Sequence, residues 1–285
     1  MMKVEINKDT QLCMSLAGRP GNFGTRFHNY LYNELNLNFM YKAFTTNDLE
    51  ATIGGIRSLG IRGCAISMPY KEACIPFLDE LDESATAIDS VNTIVNDNGK
   101  LRAYNTDYIA VSQLLGQHNV SRDSVFALRG SGGMAKAVLC ALHDAGFRSG
   151  FVIARNEVAG RTLAQNYGYE WKEELGPIRP DFLVNVTPIG MEGDPESEEL
   201  SFTPEAIDQA ETVFDVVALP PDTPLIRYAN KKGKKTITGA EVFAIQALEQ
   251  FVMYTGVRPN HEQFEQAAAY ARSGSTSKSA STVTK

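Results

Sequence analysis

Ser124-Val125-Phe126-Ala127-Leu128-Arg129-Gly130-Ser131-Gly132-Gly133-Met134-Ala135 is the stretch whose reading decides the fold. A short apolar run over 124–128 reads as a strand, the glycines as a turn, and 134–145 as a helix. Gly130-x-Gly132-x-x-Ala135 has the form G-x-G-x-x-A. Gly130 would allow the tight turn, Gly132 would let the backbone approach a pyrophosphate, and the small Ala135 would let helix and strand pack closely. The helix N-terminus would face phosphates with free N–H groups and a partial positive charge. Gly130, Ser131, Gly132, Gly133, Met134 and Ala135 are therefore candidate cofactor residues. A glycine turn alone is also a plain βα loop; the strand before it and the helix after it carry the nucleotide reading. The next strand, 150–154, runs into Arg155-Asn156. NAD sites usually place an acid here for the ribose hydroxyls, whereas an arginine can pair with a 2′-phosphate. NADP is thus expected as cofactor, with NAD kept possible by the nearby Glu157.

Working outward, apolar runs at 182–186, 212–217 and 235–238 extend this unit into a Rossmann domain over 106–239. Upstream, strands at 12–17, 39–44 and 63–68 alternate with helices at 25–37 and from Asn47 or Asp48 to 59. That rhythm implies a parallel sheet with crossover helices. Asp97-Asn98-Gly99 separates runs 91–95 and 100–104, a hairpin signal, because Asn-Gly tolerates positive φ. The fold class is therefore α/β with two domains and a cleft between them. The first, 1–105, is a mostly parallel α/β sheet completed by C-terminal helices within 240–272; the second is the Rossmann domain. Residues 273–285 are Ser/Thr-rich and read as a disordered tail.

A chain of 285 residues suits one or two domains. Its net charge of −7 and pI near 5.2 argue against a general nucleic-acid binder. No signal peptide and no apolar run of ~20 residues is apparent, so no membrane partner and a cytoplasmic location are expected. Cys13, Cys64, Cys74 and Cys140 form no CxxC and read as reduced packing residues. His28, His118, His143 and His261 show no ligand spacing, so no metal site is expected. The basic run Lys231-Lys232-Gly233-Lys234-Lys235 reads as a solvated helix end. The stripe of Val242, Ile245, Leu248 and Phe251 reads as core, with Gln246 beside it.

Ser67-Met68-Pro69-Tyr70-Lys71 puts a lysine just past a strand, and Asn105-Thr106-Asp107 puts an acid in the first turn of a helix. Parallel α/β sheets bind ligands at the carboxyl ends of their strands. Lys71 could move a proton there while Asp107 orients the amine and hydrogen-bonds hydroxyls. Taken singly, Lys71 is equally a solvated lysine and Asp107 a helix cap.

Together these blocks resemble the shikimate dehydrogenase family from Leu12 to Arg272. Gly18-Arg19-Pro20 looks like the family's G-x-P, and Ser67 to Lys71 like T-V-P-[FY]-K. Ser90-Val91-Asn92-Thr93 resembles A-V-N-T, Asn105-Thr106-Asp107 matches N-T-D, and Gly130 to Gly133 resembles G-A-G-G. Asn185 to Met191 resembles N-[AT]-T-x-x-G-M, and Gly239 and Gln246 stand at the C-terminal G…Q positions. The resemblance implies NADP-dependent, reversible reduction of 3-dehydroshikimate to shikimate. It makes Lys71 the acid/base residue and Asp107 its partner. Thr25, Ser67, Asn92 and Gln246 would hold a small cyclic hydroxy-acid, and Thr187 and Gly239 join the cofactor residues. A monomer or homodimer is expected.

Departures concern the substrate shell. The family's S-x-S is Phe23-Gly24-Thr25, the asparagine two residues before Ser67 is Ala65, and the tyrosine after Asp215-Val216-Val217 is Ala218. Of N-R-T only Arg155 remains, in Ala154-Arg155-Asn156. This pattern resembles a divergent branch, and quinate or an aminated analogue is the alternative substrate. A non-catalytic binding module of the same fold is a second alternative. A methylene-folate dehydrogenase is a third, disfavoured by Asn105-Thr106-Asp107.

Overall fold

The structure, a computed structural model, describes residues 5–273. The chain divides into two units, one made by residues up to Thr106 with those from Ala247 on, the other by Asp107–Gln246. The division falls at Gln246–Ala247, later than the boundary at 239 read from the sequence.

The first unit contains β1 (Gln11–Leu16), α1 (Phe23–Glu34), β2 (Phe39–Phe44), α2 (Leu49–Ser58), β3 (Gly63–Ile66) and α3 (Tyr70–Ala73). It continues through a 3-10 turn at Ile75–Phe77, β4 (Glu80–Leu81), α4 (Glu83–Thr86), β5 (Thr93–Asp97) and β6 (Lys100–Tyr104). Its sheet runs β2-β1-β3-β5-β6-β4. β1 is parallel to β2 and β3, whereas β5 is antiparallel to β3 and β6. The hairpin forms as expected, with Asn98 and Gly99 both at positive φ. Asp48 is the cap of α2, its carboxylate accepting the Ala51 N–H. Apolar side chains such as Met14, Leu16, Ile53, Ile56, Ile66, Ile94 and Leu101 form this unit's core.

The second unit takes up α5 (Thr106–Gln117), β7 (Phe126–Arg129), α6 (Gly133–Asp144), β8 (Gly150–Ile153), α7 (Glu157–Asn166) and β9 (Glu170–Lys172). Then come β10 (Phe182–Asn185), α8 (Pro204–Gln209), β11 (Thr212–Asp215), α9 (Pro224–Lys231), β12 (Lys235–Thr238) and α10 (Gly239–Thr255), within which the chain returns to the first unit. The sheet is parallel throughout, in the order β12-β11-β10-β7-β8-β9. Every residue of β10 and β11 is buried, as expected of parallel strands covered on both faces. Ala127, Leu183, Phe202, Ile207, Val213 and Leu225 form its core.

α11 (His261–Ser273) packs on α1 in the first unit, with Phe27 and Phe264 edge to face at 6.3 Å. Ser273 thus ends a helix, and the rest of the expected tail lies outside the described residues. No helix among the described residues is long and apolar enough to cross a membrane. All four cysteines are free and buried, and burial pushes the Cys13 and Cys74 thiols up to about 12.

Candidate active site

In the first unit the strand order reverses between β2-β1 and β3, the kind of switch point where parallel sheets leave a crevice at their carboxyl ends. The two strand-end loops meet there. The Ser67 N–H donates to Leu16 O at 2.9 Å, and the Gly18 N–H donates to Met68 O at 2.9 Å. A Cβ on Gly18 would stand 3.1 Å from Pro69 Cδ, so the glycine permits that approach. Thr25 lies in the first turn of α1, after the β1 loop, and Lys71 in α3, after the β3 loop. Lys71 is half-buried, and its carbonyl accepts the Val91 N–H at 2.9 Å, tying α3 to the approach to β5.

Asn92 is the next residue, fully buried, and its side chain is oriented from several sides. Its Oδ1 accepts the Thr106 N–H at 2.8 Å, the Thr93 hydroxyl at 2.8 Å and the Thr106 hydroxyl at 3.2 Å. A backbone N–H can only donate, so the amide oxygen must face Thr106. Gln250 completes the arrangement, its Nε2 donating to Asn92 O at 3.2 Å and Thr93 Oγ1 at 3.0 Å. Asn105 braces the same segment, its Nδ2 donating to Ser90 O at 2.9 Å. Among the described residues, Asn92 Nδ2 is left buried with no hydrogen-bond partner, and so is Thr25 Oγ1. Buried donors without partners cost free energy, and a pair of them near a strand-end crevice fits a polar ligand. Asp107 follows Thr106 in the first turn of α5 and is 4% exposed.

The second unit has the sheet order of a Rossmann fold, reversing between β7 and β10. Gly130 has φ +129°, and a Cβ there would lie 2.7 Å from Val186 Cγ2. Gly132 begins α6 with no side-chain cap, and a Cβ there would meet nothing within 4 Å. α7, α8 and α9 instead begin on side-chain caps from Asn156, Thr203 and Thr223. Among the described residues, the start of α6 thus has no side-chain cap, and there is room over Gly132. Ser131, Gly133 and Met134 are half-buried in this turn, and Ala135 is fully buried, as close helix–strand packing requires.

A pocket of about 240 Å³ opens beside this turn, lined by Gly130, Ser131, Arg155 and Thr187 among others. Arg155 is 75% exposed and 3.7 Å from Glu196. Glu157 is turned to Arg161 at 2.7 Å. The Thr187 hydroxyl donates to Asn185 Oδ1 at 2.6 Å, which shapes the loop after β10. Gly239 meets backbone, since a Cβ there would sit 2.4 Å from Val216 O and Val217 O. A larger hollow of about 540 Å³, lined by Tyr108, Ser112 and Asp144 among others, contains none of the residues expected from the sequence. Among the described residues no group of His, Cys, Asp and Glu could hold a metal ion.

The structure therefore gathers Thr25, Ser67, Lys71 and Asn92 around one unit's strand ends, and the glycine turn, Arg155 and Thr187 around the other's. Gln246 is half-buried one turn before Gln250 on α10. Gln250 escaped the sequence reading, although its i+4 spacing from Gln246 marks the same helix face. Arg129, which also lines the smaller pocket, escaped it too; the signal was a charge ending an otherwise apolar strand.

Residues 23–94 match the family model of the shikimate dehydrogenase substrate binding domain. A shikimate dehydrogenase-like protein of Haemophilus influenzae is 58% identical over 94% of this chain and 98% of its own length. A shikimate dehydrogenase (NADP(+)) of Desulforamulus reducens is 32% identical over 88% of this chain and 92% of its own. Among solved structures, a shikimate 5-dehydrogenase-like protein superposes with a TM-score of 0.91 at 57% identity, covering 94% of this chain and all of the other. The Thermus thermophilus shikimate 5-dehydrogenase, in complex with NADP(H) and shikimate, gives 0.82 at 27% identity, covering 92% and 99%. With its two units, its glycine turn and relatives matched along nearly their full length, the chain belongs to the shikimate dehydrogenase family.

Proposed function

We propose that this chain is an NADP-dependent oxidoreductase that interconverts a ring ketone and a ring alcohol, 3-dehydroshikimate and shikimate or a close analogue. The observation that carries the reading is the buried Asn92 amide, locked by Thr106 and Thr93 with its Nδ2 left unpartnered among the described residues. That donor suits a ring hydroxyl, and the Thr25 hydroxyl suits a carboxylate or hydroxyl at the same strand ends. Gly130 to Ala135, Arg155, Thr187 and Gly239 would hold the cofactor. The open α6 N-terminus and the room over Gly132 fit a pyrophosphate.

When bound, the nicotinamide supplies or accepts the hydride. The Lys71 ammonium gives its proton to the carbonyl oxygen as that oxygen becomes a hydroxyl, and the amine recovers it in the reverse direction. Asp107 orients the amine and accepts from a neighbouring hydroxyl. Ser67 and Gln246 complete the ring contacts. A site built to pair hydroxyls rejects rings that lack them, because its own buried groups are then left unpaired.

Quinate or an aminated ring is the second reading, favoured by Ala65, Ala218 and the Phe23-Gly24-Thr25 segment in place of the family's polar residues. Nicotinamide absorbance in a matrix of shikimate, quinate and aminoshikimate against NADP+ and NAD+ tests both. Turnover of shikimate with NADP+, lowered about 10²–10⁴-fold in Lys71→Ala, is expected. Turnover of a relative alone moves the substrate. Nucleotide binding with no turnover of any ring leaves a binding module and overturns the enzymatic reading.

A further inference from the structure

We propose that Arg129 is a second guanidinium for the cofactor's 2′-phosphate, acting beside Arg155 to set the preference for the phosphorylated nucleotide. The inference rests on the nucleotide reading above and adds a residue to it. Phe126, Ala127 and Leu128 are completely buried, and the strand then ends on a charge. Arg129 is level with Ile153 on β8 and lines the same pocket as Arg155 and the glycine turn.

Its guanidinium has five donors in a planar fork, suited to phosphate oxygens. Little on the protein uses them. One NH2 group donates to Glu174 Oε2 at a long 3.3 Å, and the Glu174 carboxylate is 68% exposed. The guanidinium also lies 5.4 Å from the Phe202 ring centroid. Its Nε is buried with no hydrogen-bond partner among the described residues. Arg155 is held as loosely, 3.7 Å from Glu196. Two arginines thus share a small pocket in a chain of net charge −7, each only loosely held by an acid, exposed Glu174 or half-buried Glu196, that a bound dianion could replace. A hydroxyl at the ribose 2′ position could engage neither fork bidentately, so the pair discriminates by charge and by geometry.

The test is direct binding of NADP+, NAD+ and 2′-AMP to the whole chain by calorimetry. Trp171 fluorescence is a second readout, because its Nε1 donates to Ala154 O at the pocket wall. Wild type is expected to bind NADP+ more tightly than NAD+. Arg129→Gln should weaken NADP+ and 2′-AMP at least tenfold and leave NAD+ within twofold. Arg129→Lys, which keeps the charge but loses the fork, should fall between. Glu174→Gln, which releases the guanidinium, should raise the NADP+/NAD+ preference and serves if Arg129→Gln does not fold. Equal losses for both nucleotides in Arg129→Gln, or an unchanged preference in all three variants, would mean Arg129 is only a structural tie and would overturn the inference. A wild type that binds NAD+ as tightly as NADP+ overturns it too, while the dehydrogenase reading continues with NAD+. Binding of neither nucleotide removes both.

Discussion

Among the described residues, the first unit's buried side-chain atoms without hydrogen-bond partners are neutral: Asn92 Nδ2 and Thr25 Oγ1 by the strand ends, and the His28 ring nitrogens and the Tyr32 and Tyr254 hydroxyls in the core. In the second, the loosely used groups at the nucleotide turn are cationic and nearer solvent: Arg155, Arg129 and the uncapped start of α6. The contrast matches two kinds of ligand chemistry. Neutral buried donors reward a hydroxylated ring by exchanging its water shell for fixed partners, and they penalise a ring that lacks a hydroxyl. Loosely held cations beside a helix start reward a phosphate. The same division extends to pH. Burial in the first unit lowers the His28 imidazole to about 3, so it is held neutral. Burial in the second raises the Asp215 carboxyl to about 6, although Thr223, Val217 and Asn185 all donate to it.

The largest effect that could break this comparison comes from His28. Its ring stacks on Tyr41 at 4.4 Å and is completely buried. Below pH 6.5 the unfolded chain takes up a proton that the folded chain refuses until about pH 3. This contribution is therefore full above 6.5 and is lost on acidification, by about 5 kcal/mol at most. His28→Phe, similar in shape and without ring nitrogens, should flatten denaturant-measured stability between pH 4 and 6.5. A variant that keeps the wild-type acid slope would refute the assignment.

Asp215 should show the opposite slope. Its folded value of about 6 lies above the ordinary 3.8, so its contribution is full below pH 3.8 and is lost as pH rises through 6. The loss amounts to about 3 kcal/mol. Asp215→Asn can still accept from Val217 and Asn185 and can donate to the Thr223 hydroxyl. It should gain on wild type in thermal stability at pH 7 relative to pH 4. An identical difference between the two proteins at both pH values would argue against a buried titrating carboxyl.

The smallest effect sharpens the division of labour. Gln250→Leu removes the donor to Asn92 O and Thr93 Oγ1, at a cost of about 1–2 kcal/mol. Loosening Asn92 should raise KM for the ring substrate several-fold while leaving NADP+ affinity unchanged. A matching loss of NADP+ affinity would show that the polar network does not serve the ring alone.

Some elements could be read directly from the residues, with physical cause. β2, β6 and β12 have the bounds the pattern predicts, because their ends carry strong local signals such as Asn98-Gly99 and Thr238-Gly239. α8 and α9 were missed although Thr203-Pro204 and Thr223-Pro224 each spell a cap followed by a first-turn proline. β4 and β9, of two and three residues, have too little pattern to declare themselves and exist only by pairing with β6 and β8. β3, β10 and β11 stop earlier than their apolar runs suggest, where the chain turns into the strand-end loops that hold the candidate site residues.

The sequence by itself determined the two sheets and the glycine turn, because periodicity and glycine conformation are properties of neighbours along the chain; it singled out Lys71, Asp107 and Arg155 as candidates by charge and position, and Asn92 by resemblance. Only the tertiary structure decided that Gln250 braces Asn92 across 158 residues, that Asn92 Nδ2 is left unpartnered among the described residues, and that Arg129 shares a pocket with Arg155. Hydrogen-bond satisfaction depends on what the fold brings within about 3 Å of a donor, and no local pattern encodes that distance.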